Sequence, residues 1–341
     1  MSYPSTVQAI VISRTGGPEV IEKREIPFSK VAPDHLVVKV QYLGVNFIDT
    51  YYREGLYPPP KFPFVNGQEA SGVIVALPTD ESVLNDPDYK KRGYKEGCRV
   101  AVDHLGSYAE YVSAPWNTAY VIPESVSTLT AVSGLEQGLT AISFMEEAYD
   151  VQKGDIILIH TVAGGLGLLM AQLAKSRGAT VIGTTSTPEK AALAKANGAD
   201  HVILYKSENT VARVLELTNG EGVHAIFDGV GKDTFESDLV MIRRKGTLVS
   251  VGNASGAVPP FPPIRLMQKN VKLLRPSMST YICTPAEAFY YGNALFSLLA
   301  NGTLKPQVFK EYPFTAEGVK QAQVDLTSGK TTGKLVVKVS D

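Results

Sequence analysis

One stretch limits what this chain can fold into more than any other. It is Gly154-Asp155-Ile156-Ile157-Leu158-Ile159-His160-Thr161-Val162-Ala163-Gly164-Gly165-Leu166-Gly167, running into Leu168-Leu169-Met170-Ala171-Gln172-Leu173-Ala174-Lys175. An apolar run of strand length stops at a glycine cluster, and beyond it Leu166, Leu169, Met170, Leu173 and Ala174 recur at helical spacing. The pattern predicts strand, tight turn and helix. Such a turn aims backbone N–H groups and the positive end of a helix dipole at one point, which suits a pyrophosphate. Gly164 would let the backbone approach a phosphate, and Gly167 would let the helix pack closely on the strand. Val162 stands where the GxGxxG fingerprint has its first glycine, so the match is partial. Glycine-rich turns with no ligand also occur, and the turn alone leaves both readings open.

The segments beyond the turn set the fold class. Strands are predicted at 180–184, 201–204, 223–228, 246–251 and 271–275, and helices at 188–197 and 209–218. Strands alternating with helices make βαβ units and a parallel sheet covered on both faces, a Rossmann-type doubly wound domain. The region before it is different. Segments 8–13 and 36–42 are rich in β-branched residues and are punctuated by Gly16-Gly17-Pro18 and Ala32-Pro33-Asp34, which predicts an antiparallel or barrel-like β region. Segment 129–149 reads as helical, interrupted around Gly134 and Gly138. The tail carries helices at 285–300 and 316–328 and a last strand at 334–339, and is expected to pack back on the first region. The α/β domain, 130–275, is then an insertion in a β-rich domain of 1–129 and 276–341, with a cleft expected between them.

A length of 341 residues favours two domains, and a hydrophobic content of 44% supports sizeable cores. The net charge of -1, with no long basic run, gives no reason to expect electrostatic binding to nucleic acid or anionic membrane. Cys98 and Cys283 lie far apart without ligand spacing, so neither a zinc lobe nor a disulfide framework is indicated, and a reducing compartment is the simplest reading. Met1-Ser2-Tyr3-Pro4-Ser5-Thr6 lacks a signal pattern and no apolar run approaches spanning length, so a cytoplasmic location is expected.

Polar chemistry gathers on 44–57, which contains Asn46, Asp49, Tyr51 and Tyr57 and runs into Pro58-Pro59-Pro60. Three prolines predict a rim loop. Those side chains can orient a carbonyl substrate; equally, Asn46 and Asp49 can cap a short helix while the tyrosines pack. The proline-containing segment 78–97 reads as an exposed polar loop.

Cofactor choice is written at the end of the second strand of the α/β domain. There an acidic residue accepts the ribose hydroxyls of NAD and repels a 2′-phosphate. This chain instead reads Gly183-Thr184-Thr185-Ser186-Thr187-Pro188-Glu189-Lys190. Hydroxyls stand where the acid would be, Thr187 and Pro188 start the next helix, and Lys190 lies in its first turn. The combination predicts NADPH, with a surface lysine and an ordinary cap as the alternative.

Taken together, Gly44-Val45-Asn46-x-x-Asp49, Gly67-x-Glu69-x-x-Gly72, Gly106-x-Tyr108-Ala109-Glu110-Tyr111, Ala163-Gly164-Gly165-Leu166-Gly167, Gly252-Asn253-Ala254-Ser255-Gly256 and Thr332-Gly333-Lys334 are similar in kind and order to the medium-chain dehydrogenase/reductase superfamily. Within it the chain resembles the zinc-free, zeta-crystallin-like quinone oxidoreductases over nearly its whole length. The resemblance implies a GroES-like catalytic domain holding the Rossmann domain, and a metal-free reduction of quinones by NADPH in a homodimer. It implies a cofactor cleft lined by Asn46, Tyr51, Ala163, Gly164, Gly165, Leu166, Gly167, Gly183, Thr184, Ser186, Lys190, Tyr205, Gly252, Asn253 and Lys334. Tyr57 is expected to bond a substrate oxygen, Asn46 and Tyr51 to hold the nicotinamide end, and Asp49 to act there or to order its loop. Zinc-dependent relatives carry His where this chain has Gln68 and Cys on the segment holding Asn46, so no metal is expected. Val162, Cys98 in a turn that usually reads Gly-Asp-Arg-Val, and Gln137 where a lysine is common depart from the pattern. Rival readings are an NADPH-dependent alkenal or enone reductase and, in another class, an RNA-binding or structural zeta-crystallin-like protein.

Overall fold

A computed structural model describes residues 3–28, 30–59 and 61–340. Pro60 of the triproline segment and Met1 and Ser2 of the N-terminal segment lie outside the described residues. The chain divides into two units, residues 1–136 with 283–341, and residues 137–282.

The 137–282 unit is built on a six-stranded sheet in the order His201–Leu204, Thr180–Thr185, Ile156–Ile159, Val223–Asp228, Ile242–Ser250, Lys272–Leu274. All five pairings are parallel. Numbered along the chain from Ile156–Ile159, this is the 3-2-1-4-5-6 order of the doubly wound dinucleotide fold. Leu158, Ile182, Ile203, Ile226 and Leu248 fill the core, each at most 1% exposed. The apolar run therefore becomes a strand because both its faces are covered. Helix Phe235–Met241 is not among the elements the sequence predicts.

The other unit carries a seven-stranded, mainly antiparallel sheet. Its main path runs Val308–Pro313, Lys334–Lys338, His35–Val45, Glu69–Ala76, Arg99–Asp103, Ala119–Val121, and Tyr111–Pro115 pairs with His35–Val45. A smaller sheet joins Ile21–Pro27, Thr6–Ile12 and Phe64–Val65. Leu36, Val38, Leu43, Ile74, Val100, Tyr108, Leu335 and Val337 form its buried core. Helix Pro285–Ala300 begins where its sequence says it should: Thr284 and Glu287 make a capping box and Pro285 takes the first turn. Among the described residues no helix is long and apolar enough to cross a membrane.

Three local expectations are corrected. The helix predicted to break at Gly134 and Gly138 runs unbroken from Thr128 to Ser143. Gly134 is there for close packing, since a Cβ on it would fall 2.9 Å from Pro306 Cγ. Segment 78–97 is not a plain exposed loop. Asp80 and Asp86 cap short helices Glu81–Asn85 and Pro87–Arg92, and Tyr89, Arg92 and Tyr94 are buried around Trp116. Finally, 47–54 is a helix rather than a rim loop, with Asn46 as N-cap and Asp49 at the third position.

Candidate active site

In the 137–282 unit the glycine turn has the geometry of an anion cradle. Gly164 is the N-cap of helix Gly165–Ser176, in extended conformation. Its own N–H is donated to Thr161 O at 2.9 Å. The amides of Gly165 and Leu166, at the helix start, are therefore the ones positioned for a phosphate, because a helix leaves its first N–H groups without internal partners. Any side chain on Gly167 would meet backbone, its Cβ falling 2.6 Å from Thr161 O and 2.7 Å from Val162 Cα. Ala163 is buried beside it. The departure at Val162 has a structural answer in Gly183, whose missing Cβ leaves the space that the Val162 side chain fills.

Strand Thr180–Thr185 ends as expected, in hydroxyls. Ser186 is half-buried, and Thr187 Oγ1 accepts the N–H of Lys190 at 3.4 Å at the start of helix Pro188–Ala196. Burial, then the neighbouring Lys206 ammonium, pushes the Lys190 amine down. Tyr205 is half exposed and donates its N–H to Thr185 O at 3.1 Å, so Lys206 follows the same strand end. Sequence reasoning missed Lys206. The parallel register that pairs Thr185 with Leu204 is the signal that brings it there. Gly252 and Asn253 are half-buried in the segment after Ile242–Ser250, and Gly252 N–H donates to Asp228 O at 3.1 Å. Thr184 is placed differently from the rest: it is 3% exposed and its hydroxyl meets His160 Nδ1 at 2.9 Å, inside the unit.

In the other unit a buried polar cluster surrounds Glu69. Lys334 Nζ donates to Glu69 Oε1 and, at 2.6 Å, to Asn46 Oδ1, while Asn46 Nδ2 donates to the same Glu69 oxygen at 2.7 Å. The Glu136 N–H reaches Glu69 Oε2 at 2.9 Å. Asn46 and Lys334 thus share one carboxylate, although 265 positions separate Glu69 from Lys334. Asp49 is fully buried, and its Oδ2 accepts Asn46 N–H at 2.7 Å and Tyr108 O–H at 2.6 Å. Burial pushes its carboxyl up to about 7 against the lowering effect of those bonds. It orders the helix start from within the core. Burial also raises Asp103 to about 6, with Gln68 Nε2 donating to its Oδ1 at 2.7 Å, and pushes Glu136 well up. The polar groups gathered here are amides, carboxyls, the Tyr108 phenol and one ammonium, and the Lys334 ammonium already supplies positive charge to Asn46 and Glu69.

Tyr51 and Tyr57 are half-buried and meet edge to face at 5.5 Å, with Tyr57 N–H donating to Tyr51 O at 3.2 Å. Tyr57 is thereby held against its own helix. Tyr52, equally half-buried, packs edge to face on Tyr57 as well, at 5.8 Å.

A parallel nucleotide-type sheet, joined in one chain to a β-rich unit with such a cluster, is the architecture of medium-chain dehydrogenases and reductases. Residues 32–124 match the family described as alcohol dehydrogenase GroES-like domain, and residues 165–290 the one described as zinc-binding dehydrogenase. A probable quinone oxidoreductase of Schizosaccharomyces pombe is 38% identical over 96% of both chains. The crystal structure of Escherichia coli quinone oxidoreductase complexed with NADPH is similar with a TM-score of 0.90 at 35% identity, covering 97% of this chain and 100% of that one. A 2-haloacrylate reductase of a Burkholderia species is 31% identical over 90% of this chain and 92% of its own. The chain belongs to the quinone oxidoreductase family of the medium-chain dehydrogenases and reductases.

Proposed function

We propose that this protein is an NADPH-dependent quinone oxidoreductase that works without a metal. The observation that carries the cofactor choice is the end of strand Thr180–Thr185, where hydroxyls and a lysine-started helix stand in place of an acid. Relatives named for quinone reduction over nearly the full length support the reaction. When bound, NADPH supplies the reducing electrons.

The protein's own groups do the rest. Gly165 and Leu166 amides and the helix dipole bind the pyrophosphate against the turn of Ala163, Gly164 and Gly167. Ser186, Lys190 and Tyr205 hold the 2′-phosphate end, and Gly183, Gly252 and Asn253 leave room for the dinucleotide. Asn46, Lys334 and Tyr51 are assigned to the nicotinamide end, Asn46 and Lys334 being locked by Glu69. Tyr57 donates a hydrogen bond to an acceptor oxygen. Orientation and such bonds suffice for a quinone, which is reactive without a Lewis acid.

The relative named 2-haloacrylate reductase favours a second reading, reduction of a conjugated alkene acid or enone by the same cofactor. A homodimer through the edge strand Lys272–Leu274 fits the open side of that sheet. Two free cysteines, Cys98 and Cys283, fit a reducing compartment such as the cytoplasm. RNA binding has only family analogy behind it.

Steady-state rates with NADPH and with NADH, over quinones of increasing size, haloacrylates and enals, test the reading. Quinones should be turned over best and NADPH preferred. A preference for the alkenes, or for NADH, would overturn the corresponding half.

A further inference from the structure

The turn that cradles the pyrophosphate rests on side chains that the proposed function does not use. His160 is the last residue before it, 4% exposed, with Asp238 and Asp228 at 0% and 1% beside it. His160 Nε2 lies 2.8 Å from Asp238 Oδ1, and Nδ1 lies 2.9 Å from Thr184 Oγ1. Thr184 then grips the turn twice: Oγ1 accepts the N–H of Thr161 at 3.4 Å, and its carbonyl accepts the N–H of Val162 at 3.1 Å.

That grip falls on a strained residue. Thr161 has φ 54, a left-handed conformation that is costly for a β-branched side chain and persists only where the surroundings over-determine it. Thr161 Oγ1 closes the local frame by donating to His160 O at 2.7 Å. The strain has a use, because Thr161 O accepts the Gly164 N–H and so fixes where helix Gly165–Ser176 begins.

One atom each from His160, Asp228 and Asp238 lies within 4.8 Å of the others, a spacing a metal could bridge. The Asp228 oxygens, however, accept Val230 N–H at 2.8 Å, Gly231 N–H at 3.1 Å and Thr234 O–H at 2.9 Å, and the His160–Asp238 distance is that of a hydrogen bond. The cluster is a brace across the ends of Ile156–Ile159, Thr180–Thr185 and Val223–Asp228, where a doubly wound sheet binds its ligand.

We propose that His160 and Thr184 are positioning residues for dinucleotide binding: Asp238 clamps the His160 imidazole, which fixes Thr184 Oγ1, which holds Thr161 in the conformation that aims the Gly165 and Leu166 amides at the pyrophosphate. The inference rests on the dinucleotide reading of the turn but not on NADPH being preferred or on quinones being the acceptor.

The pyrophosphate is common to both nicotinamide dinucleotides, which separates this role from that of Lys190. Thr184→Val keeps the shape and removes Oγ1. Direct calorimetric titration, without any acceptor, should show NADPH and NADH both weakened by the same factor, roughly tenfold for the loss of an aimed hydrogen-bonded frame. Thr184→Ser, which returns the hydroxyl, should restore most of the affinity of both. In turnover the loss should appear chiefly in the KM for the cofactor rather than in kcat. His160→Gln can span Thr184 and Asp238 and should fall between wild type and Thr184→Val. Wild-type affinity in folded Thr184→Val would overturn the proposal. So would a loss confined to NADPH, which would put Thr184 at the 2′-phosphate instead.

Discussion

Replacing Lys334 by methionine tests the buried cluster around Glu69 most directly. Lys334 is 2% exposed and Glu69 0%, and their contact is shared with Asn46. Without the ammonium, Glu69 is left as a buried carboxylate held by Asn46 Nδ2 at 2.7 Å and Glu136 N–H at 2.9 Å. Removing one partner of a buried pair costs about 3–5 kcal/mol. In a domain of this size each kcal/mol moves Tm by about 2–4 °C, so a fall of about 6–20 °C is expected. Trp116, the one tryptophan of the sequence and 7% exposed, sits in the same unit, so its fluorescence follows unfolding of the part that carries the change. Lys334→Met with Glu69→Gln removes both charges and should recover most of the loss. A single variant within about 1 kcal/mol of wild type, or a double variant no better than the single, would refute the assignment of Lys334 as the balancing charge.

Lys190→Ala should weaken NADPH by roughly tenfold, the lower end for a charged hydrogen bond at a half-open site, and leave NADH nearly unchanged; equal losses by titration would return Lys190 to the helix start. Asp49 releases its proton at about 7 when folded against an ordinary 3.8, so its contribution to stability declines as pH rises through that window. Asp49→Asn keeps an acceptor for Asn46 N–H and should flatten that slope in pH-dependent denaturation, and an unaltered slope would show that another group sets it. Tyr57→Phe should reduce turnover of a small quinone by about fivefold, near 1 kcal/mol, with a smaller change in NADPH affinity; unchanged quinone kinetics would leave the phenol a packing role.

The features of this fold that can be read in the sequence are those that neighbours along the chain decide. The i, i+3, i+4 spacing after Gly165 and the Thr187-Pro188 start of the next helix specify helices Gly165–Ser176 and Pro188–Ala196 locally. The alternation of strands and helices then leaves little choice but a parallel sheet. Gly134 shows the limit, because a glycine in a helix reads as a break until Pro306, far along the chain, is seen packed on it. Strand Val308–Pro313 is exposed at all but one position and has no alternating apolar face to betray it. Within the candidate site, the glycine turn and the acid-free strand end are local features and can be read. The sharing of Glu69 by Asn46 and Lys334, the approach of Lys206 to Lys190, and the His160 brace depend on register and on contacts between distant segments, for which single side chains carry no mark.

The strand Lys334–Lys338 has a consequence for how the molecule is made. It is not an edge: it lies between Val308–Pro313 and His35–Val45, with Leu335 opposite Val45. On the ribosome, His35–Val45 emerges early, and although Tyr111–Pro115 soon pairs with its 35–39 half, its 42–45 end must wait, one flank unpaired, for a partner that follows the whole 137–282 unit. Residues 137–282 have all six strands of their sheet by then, so that unit can close first. An unpaired strand edge invites the wrong partner. The nascent β-rich unit is thus the part of this protein with most need of a chaperone, and a stall between residues 282 and 334 would endanger it while sparing the 137–282 unit.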